Sequence, residues 1–459
     1  MRSQSDVDRM RVGRARLALG LLYGSLGLLV VAFLRLQVAG QAEYTLQSTQ
    51  NRLRAISVPP PRGAIYDRRG RLLAENVPGY SLSLLPGSPD SARATLGRLA
   101  PWLGLTVEER DELHQRFRQR PGSALLVRDD LEPAIVAAIE ERRPEFRMVL
   151  IDTHPRRHYP PGPAIAHVIG YVSEISEAEL EQPEYESYEA GRTVGKKGIE
   201  GEYELELGGS PGVRFVEVNA RGSIVGEFGP RPSIPAEPGT DLTLGLDLEL
   251  HLLADSIFPD TMKGGVVALD PQTGEVLLLY SYPTFDPNLF VGGISSPEWA
   301  ALRDDPMQPL LNRALSALYP PGSTWKPVLA SLALRDGLAG IDDYMPSACH
   351  GSLRYGNRSF HCWKHSGHGA LDMSGAIKES CNVFFYQLGQ RIGLDNLLSG
   401  VDGLGFNGRT GIDIPGETGG RFPPTRDWYD ERFGPRGWTE SVTLNLSIGQ
   451  GETEQSLLR

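Results

Sequence analysis

The chain has 459 residues, 57 of them acidic and 46 basic, for a formal net charge of −11. That balance argues against a nucleic-acid partner, and a hydrophobic share of 40% is ordinary for a globular chain. The length predicts about three domains, and only six lysines stand among the basic residues, so each is a scarce choice.

Residues 1–16 carry Arg2, Arg9, Arg11, Arg14 and Arg16, whereas residues 17–34 contain no charged side chain. Such a stretch is long enough to span a bilayer, and the arginines ahead of it predict a cytoplasmic N-terminus. A signal peptide cleaved near Gln41-Ala42 would have a shorter apolar region, and Arg35 interrupts the approach. The expectation is a cytoplasmic tail over 1–16 and an uncleaved anchor over 17–38, with everything after Val38 outside the cytoplasm.

Residues 42–53 read as a polar helix leaving the membrane. Ile65-Tyr66, a turn at Asp67-Arg68-Arg69-Gly70 and Leu72-Leu73-Ala74 read as a short hairpin. Thr106-Val107-Glu108-Glu109 has the capping-box spacing and opens a helix toward Arg118. Residues 132–143 form a second, with Pro133 in its first turn. No catalytic constellation stands out between Gly40 and Pro238. A boundary is predicted over 230–240, where prolines and a Pro-Gly-Thr punctuate the chain. Apolar runs at 264–269 and 275–280 flank the turn Asp270-Pro271-Gln272-Thr273-Gly274 and predict a hairpin in a sheet covered on both faces.

The stretch Tyr319-Pro320-Pro321-Gly322-Ser323-Thr324-Trp325-Lys326-Pro327 sets a serine three residues before a lysine. On a helix that spacing puts both side chains on one face, about one turn apart. The prolines and glycine ahead place Ser323 near a helix N-terminus, where unpaired N–H groups favour developing negative charge. A serine hydroxyl needs a neighbour to take its proton, and a desolvated Lys326 supplies one. Alone, an S-x-x-K is a common surface pair. Here Glu379-Ser380-Cys381-Asn382-Val383-Phe384-Phe385 adds S-x-N, and the pair resembles two of the three motifs, S-x-x-K, S-D-N and K-T-G, of penicillin-binding proteins and class A β-lactamases.

All three cysteines, Cys349, Cys362 and Cys381, fall within 33 residues, with His368 between them. The order C-x12-C-x5-H-x12-C is a complete Cys3His set for tetrahedral zinc. A disulfide with one thiol left over and three small buried hydrophobes are the alternatives. His350, His361 and His365 could replace His368 as the fourth ligand. Zinc is the expectation, as a structural ion behind the loop that carries Ser380 and Asn382.

The wording of the chain resembles the class B penicillin-binding proteins, peptidoglycan transpeptidases, and most of all their elongation type. Pro61-Arg62-Gly63-Ala64-Ile65-Tyr66-Asp67, Ala166-His167-Val168-Ile169-Gly170-Tyr171-Val172 and Val194-Gly195-Lys196-Lys197-Gly198-Ile199-Glu200-Gly201 carry the resemblance. So do Gly367-His368-Gly369 and Thr410-Gly411-Ile412-Asp413, together with the stretch around Ser323. The resemblance implies an α+β multi-domain chain: a transmembrane helix, an elongated pedestal (dimerisation-type) domain over 39–238, and a transpeptidase domain over 239–459. That last domain is an antiparallel sheet with helices on both faces. It implies acylation of Ser323 by the penultimate D-Ala of a stem peptide and transfer of the acyl group to a neighbouring amine. Lys326 takes the proton in acylation, Ser380 relays one to the leaving amine, Asn382 orients the acyl chain, and the Ser323 N–H is half of an oxyanion hole. Many elongation-type members have Asp where this chain has Asn382. Some bind zinc at corresponding positions, with Asp replacing two of the cysteines, and this chain resembles a thiolate-rich version. Implied partners are stem peptides, penicillins and other β-lactams, the membrane, a membrane-embedded glycosyltransferase and proteins of the elongation complex; the implied location is the bacterial inner membrane.

The family's third motif, K-[ST]-G, has no counterpart here, because no lysine follows Lys378 and Arg409-Thr410-Gly411 belongs to the Thr-Gly-Ile-Asp phrase. The sequence therefore predicts a C-terminally incomplete transpeptidase domain, either a fragment or a truncated product, with doubtful activity of its own. A catalytically inactive scaffold for a glycosyltransferase and a division-type transpeptidase are the alternative functions. A β-lactamase or β-lactam sensor would not need the long stretch from Gly40 to Pro238.

Overall fold

The structure, a computed structural model, describes residues 4–35, 53–85, 87–119, 124–129, 131–189, 191–218, 224–227 and 233–458. Arg2, the end of the expected anchor at 36–38, the polar stretch 42–52 and the start of the expected boundary at 230–232 lie outside them. The chain divides into two compact units: Met1–Pro60, Pro78–His154 and Ser210–Glu237 form one, and Pro61–Val77, Pro155–Gly209 and Pro238–Arg459 the other.

In the first unit a helix runs over Gln4–Leu34 and covers the uncharged stretch. Its described apolar side chains, among them Leu21, Leu22, Leu26, Leu28 and Phe33, are more than half exposed. Among the described residues no helix is long and apolar enough to cross a membrane; the described side chains of this one are Leu17 and residues 19–34. Strands Leu53–Val58, Gly212–Val218 and Ile224–Glu227 form an antiparallel sheet, so residue 53 opens a strand where the sequence predicted the end of a polar helix. Helix Pro89–Leu103 starts on a Ser88 cap and stops at Gly104 in the left-handed region. The predicted capping box is present: Glu109 N–H donates to Thr106 Oγ1 at 3.2 Å and Thr106 N–H to Glu109 Oε2 at 2.8 Å. It opens helix Val107–Gln119, and Pro133 opens Pro133–Glu141. Leu82, Leu84, Leu96, Leu99, Phe117 and Ile139 make this unit's core.

The second unit begins with the predicted hairpin. Ile65 pairs with Ala74, and Asp67 Oδ1 closes the turn by accepting the N–H groups of Arg69 and Arg71, both at 2.8 Å. A buried ion network ties Pro61–Val77 to Pro155–Gly209. Arg62 meets Glu200 at 2.7 Å and Glu204 at 2.8 Å, while Arg157 meets Glu200 at 2.6 Å and the Gly63 carbonyl at 2.8 Å. Burial alone would raise the Glu200 carboxyl, but the two guanidiniums outweigh it and hold it below its ordinary value. Strands Gly264–Leu269 and Val276–Tyr282 form the other predicted hairpin. Leu278, Leu279 and Tyr280 are buried, whereas Val266 is 36% and Leu269 45% exposed. Among the described residues this sheet has two strands, so the expectation of a sheet covered on both faces holds for the second strand only. Helix Leu248–Ile257 covers that strand through Ala254.

Helices and the short antiparallel pair Ser352–Tyr355 and Arg358–His361 follow. Lys326–Arg335, Met373–Lys378, Asn382–Ile392, Leu394–Gly403 and Val442–Leu446 surround a core of Trp325, Leu329, Ala333, Phe385, Leu388, Leu397 and Leu444. Gly389 lets Asn382–Ile392 sit close to its neighbour, since a Cβ there would lie 1.7 Å from Ser447 Oγ. Of the predicted site, Lys326 and Asn382 lie on these helices, Ser323 on the 3-10 turn Gly322–Trp325, and Ser380, Cys349, Cys362, His368 and Cys381 on the turns and loops between elements.

Candidate active site

The segment around Ser323 is pinned from the far end of the chain. Tyr319 and Gln455 exchange backbone hydrogen bonds of 2.8 Å, and Gly322 N–H donates to the Gly449 carbonyl at 2.8 Å. Only glycine fits at 449, where a Cβ would come within 2.4 Å of Gly322 O. Gly322 itself has φ of 57°, outside the range that L side chains favour. Residues Gly322–Trp325 then make a 3-10 turn that runs into helix Lys326–Arg335. With three residues per turn, a 3-10 helix eclipses positions i and i+3, so Ser323 and Lys326 align more closely than the predicted α-helix would allow. Trp325, 2% exposed, anchors the turn by stacking on Phe422 with ring centroids 5.6 Å apart.

Opposite it, helix Met373–Lys378 ends in a tight reversal. Ser380 N–H donates to Ile377 O and Cys381 N–H to Ala376 O, and Ser380 takes φ of 50°. For a non-glycine residue that is a sparsely populated conformation, found where surrounding contacts over-determine it. Helix Asn382–Ile392 begins at the next turn.

Lys326 closes the gap. Its ammonium nitrogen lies 3.2 Å from Ser323 Oγ, 3.0 Å from Ser380 Oγ, 2.8 Å from the Ser380 carbonyl and 2.6 Å from Asn382 Oδ1. Ser380 Oγ donates to Ser323 Oγ at 2.9 Å. Lys326 is 1% exposed and Ser323 is open to solvent. Burial lowers the lysine to about 8, although negative charge on Cys362 and Cys381 would pull it back up. A reagent can therefore reach the hydroxyl, and the amine behind it is available as a base near neutral pH.

All four predicted metal ligands converge behind this turn. One ligand atom from each of Cys349, Cys362, His368 and Cys381 lies within 4.8 Å of the others. His368 Nδ1 is 3.6 Å from Cys349 Sγ and 3.5 Å from Cys362 Sγ. The three thiols are buried and free. Tetrahedral Zn–S bonds of about 2.3 Å place sulfurs roughly 3.8 Å apart, so the donor set fits such an ion with small adjustments. Burial opposes charge on Cys362, but the backbone N–H groups of Lys364, Asn382 and Val383 outweigh burial and hold it below the ordinary thiol value. Burial pushes Cys381 up to about 12, a thiol that needs a cation to lose its proton. His368 Nε2 is buried without a partner among the described residues. His350, His361 and His365, the alternative fourth ligands, do not join the cluster.

Two features of the site were not read from the sequence. Asn382 Nδ2 and Tyr386 OH both reach the His361 carbonyl, and the Phe385 ring lies 5.7 Å from Lys326 Nζ. Tyr386 sits four residues beyond Asn382 on one helix, the spacing at which side chains become neighbours; that was the available signal.

Comparison with known proteins agrees with the fold and the site. Residues 57–244 match the penicillin-binding protein dimerisation domain, and residues 264–458 the penicillin-binding protein transpeptidase domain. The chain is similar to the peptidoglycan D,D-transpeptidase MrdA of Acinetobacter baumannii, with 36% identity over 96% of this chain and 65% of that protein. It is equally similar to MrdA of Escherichia coli K12, with 36% identity over 93% of this chain and 67% of that one. The chain thus spans about two thirds of the length of these relatives. Among solved structures it resembles penicillin-binding protein 2 of Helicobacter pylori in complex with MreC, at a TM-score of 0.74 and 28% identity over 88% of this chain and 75% of that one. A peptidoglycan synthase complex in which polymerization and crosslinking are coordinated gives 0.69 and 30% over 97% and 76%. Matching domains on both sides of residue 250, relatives aligned over nearly all of the chain, and the Ser323, Lys326 and Ser380 constellation lead to one conclusion: the chain belongs to the class B penicillin-binding proteins of the elongation type.

Proposed function

We propose that this protein is a serine-type peptidoglycan D,D-transpeptidase that cross-links stem peptides during cell elongation and is acylated by penicillins. The observation that carries the reading is a buried Lys326, lowered to about 8, within 3.2 Å of the exposed Ser323 hydroxyl. Neutral Lys326 takes the proton as Ser323 Oγ attacks the carbonyl of the penultimate D-Ala. Ser380 Oγ, in contact with both Ser323 Oγ and Lys326 Nζ, relays a proton to the leaving D-Ala amine. The acyl-enzyme then passes its acyl group to the amine of a neighbouring stem: the amine nitrogen bonds to the acyl carbon and gives its proton to Lys326, the ester bond to Ser323 Oγ breaks, and Lys326 returns that proton to Ser323 Oγ. Asn382 steadies Lys326 through its amide oxygen, and the Ser323 N–H is one donor to the oxyanion.

Cys349, Cys362, His368 and Cys381 would hold zinc, which supplies structural cross-linking and no step of the reaction. Residues 17–38 would anchor the chain in the inner membrane, an assignment supported by the exposed leucines of helix Gln4–Leu34. On this reading residues 39–238 act as the pedestal and 239–459 as the transpeptidase portion. Partners of the kind named for the relatives, a peptidoglycan polymerase and MreC, would engage the protein in the periplasm.

A fluorescent penicillin tests the reaction. The full product of the gene should be labelled covalently, and Ser323→Ala should abolish labelling while leaving the melting temperature in place. Labelling that survives Ser323→Ala would sink the assignment, as would a failure of the folded wild-type protein to label.

A further inference from the structure

We propose that Tyr386, acting with the main-chain carbonyl of His361, is a positioning residue that fixes which end of the Asn382 amide faces Lys326. The proposal rests on the reading of Ser323 and Lys326 as the acylation pair. A neutral lysine has two N–H bonds and one lone pair, and as a base it must aim that lone pair at the hydroxyl. Two of its four neighbours, the Ser380 carbonyl at 2.8 Å and Asn382 Oδ1 at 2.6 Å, can only accept. They absorb both N–H bonds and leave the lone pair for the hydroxyls, of which Ser323 Oγ is the one that reacts.

That arrangement holds only while the amide oxygen faces the lysine. Turned by half a rotation, Asn382 would offer its NH2 to Lys326 and capture the lone pair. The opposite end of the amide decides the matter. Asn382 Nδ2 donates to the His361 carbonyl at 3.3 Å, and Tyr386 OH donates to the same carbonyl at 3.2 Å. Burial lifts the Tyr386 phenol to about 12, so it keeps its proton and stays a donor to that carbonyl. A flipped amide would set an oxygen against the His361 carbonyl, acceptor facing acceptor, at a carbonyl that the Tyr386 hydroxyl holds in place. Asn382 and Tyr386 stand one turn apart on helix Asn382–Ile392, and His361 closes the strand Arg358–His361, so two separate elements set the orientation. Tyr386 is 4% exposed, and its ring meets Phe360 edge-on at 5.6 Å. Tyr386→Phe therefore keeps the packing and removes only the hydroxyl.

The test is a double-mutant cycle on the full gene product, read as the rate constant for acylation of Ser323 by a fluorescent penicillin. Loss of one hydrogen bond should slow the chemical step roughly fivefold in Tyr386→Phe, with penicillin affinity before acylation unchanged. In the Asn382→Ala background the same substitution should add nothing, because no amide remains to be oriented. Equal slowing in both backgrounds would mean that Tyr386 acts on something else and would overturn the proposal. A second measurement does not depend on acylation. With 15N-asparagine, the Asn382 side-chain amide, assigned by its loss in Asn382→Ala, should exchange slowly with solvent in the wild type and faster in Tyr386→Phe. An unchanged exchange rate would refute the positioning role even if the wild type were never acylated, an outcome that would separately refute the acylation reading.

Discussion

Replacing Asn382 by aspartate puts a carboxylate where a neutral oxygen now lies 2.6 Å from Lys326 Nζ. Burial lowers that lysine to about 8, and an opposite charge in contact typically shifts a group by ~1 to 3 units toward its charged form. The shift is upward for a lysine, so the neutral base becomes scarcer at any given pH. Near pH 7.5, a value of about 8 leaves roughly a quarter of the lysine neutral, and a rise of one unit leaves about 3%, an eightfold loss. Asn382→Asp should therefore acylate about tenfold more slowly near neutrality. It should regain much of the difference in alkaline buffer, its rate rising through an inflection above 9 instead of near 8. The assay is single-turnover acylation by a chromogenic β-lactam between pH 6 and pH 10, for wild type and variant. A wild-type rate that does not rise through the region of 8, or an unshifted profile in Asn382→Asp, would refute the neutral-lysine argument.

Two further outcomes follow from other parts of the chain. Purified protein lacking the first 38 residues should carry about one zinc per chain; chelation should lower its melting temperature, and Cys381→Ser should slow acylation although Ser323 and Lys326 are untouched. Elemental analysis without zinc, or a mass showing one disulfide and one free thiol, would contradict this. Glu200→Ala leaves Arg62 and Arg157, 8% and 3% exposed, without their shared carboxylate, and should cost about 3–5 kcal/mol in denaturant unfolding. Because Glu200 is held below its ordinary 4.5, the network's contribution is full above that value and disappears as pH falls through the lowered one. Stability of Glu200→Ala should therefore depend less on pH in the acid range than that of the wild type.

The site was legible because its chemistry is local in sequence. Ser323 and Lys326 share a turn, Ser380 and Asn382 share another, and the three cysteines share 33 residues. The Asp67 turn, the Thr106 capping box and the hairpin at 264–282 were legible for the same reason: each is decided by side chains within a few positions. What escaped depends on contacts between distant segments. The positive φ of Ser380 is set by the lysine 54 residues earlier that holds its carbonyl. The network around Glu200 joins Arg62, 138 residues away, to Arg157, 43 away. Nor does the sequence say that Pro61–Val77 and Pro155–Gly209 belong to the same compact unit as the transpeptidase bundle.

The turn at 379–382 faces two ways, and that gives the cysteine cluster its meaning. Its front supplies Lys326 with three acceptors, the Ser380 carbonyl, Ser380 Oγ and Asn382 Oδ1. Its back supplies Cys381, while the N–H groups of Asn382 and Val383 point to Cys362. A non-glycine residue in the left-handed region costs on the order of 1–3 kcal/mol, so Ser380 keeps its conformation only while both sides hold. Lys326 holds the front from the nucleophile's own helix. The cluster holds the back, and an ion there would cross-link Cys381 to Cys349 and Cys362 on other segments of the bundle. Thiolates buried one residue from two polar catalytic groups would otherwise be a poor choice, because their charge raises the lysine that must be neutral. A cation shared among them would neutralise most of that charge, so an ion that stiffened the turn would also help keep Lys326 neutral.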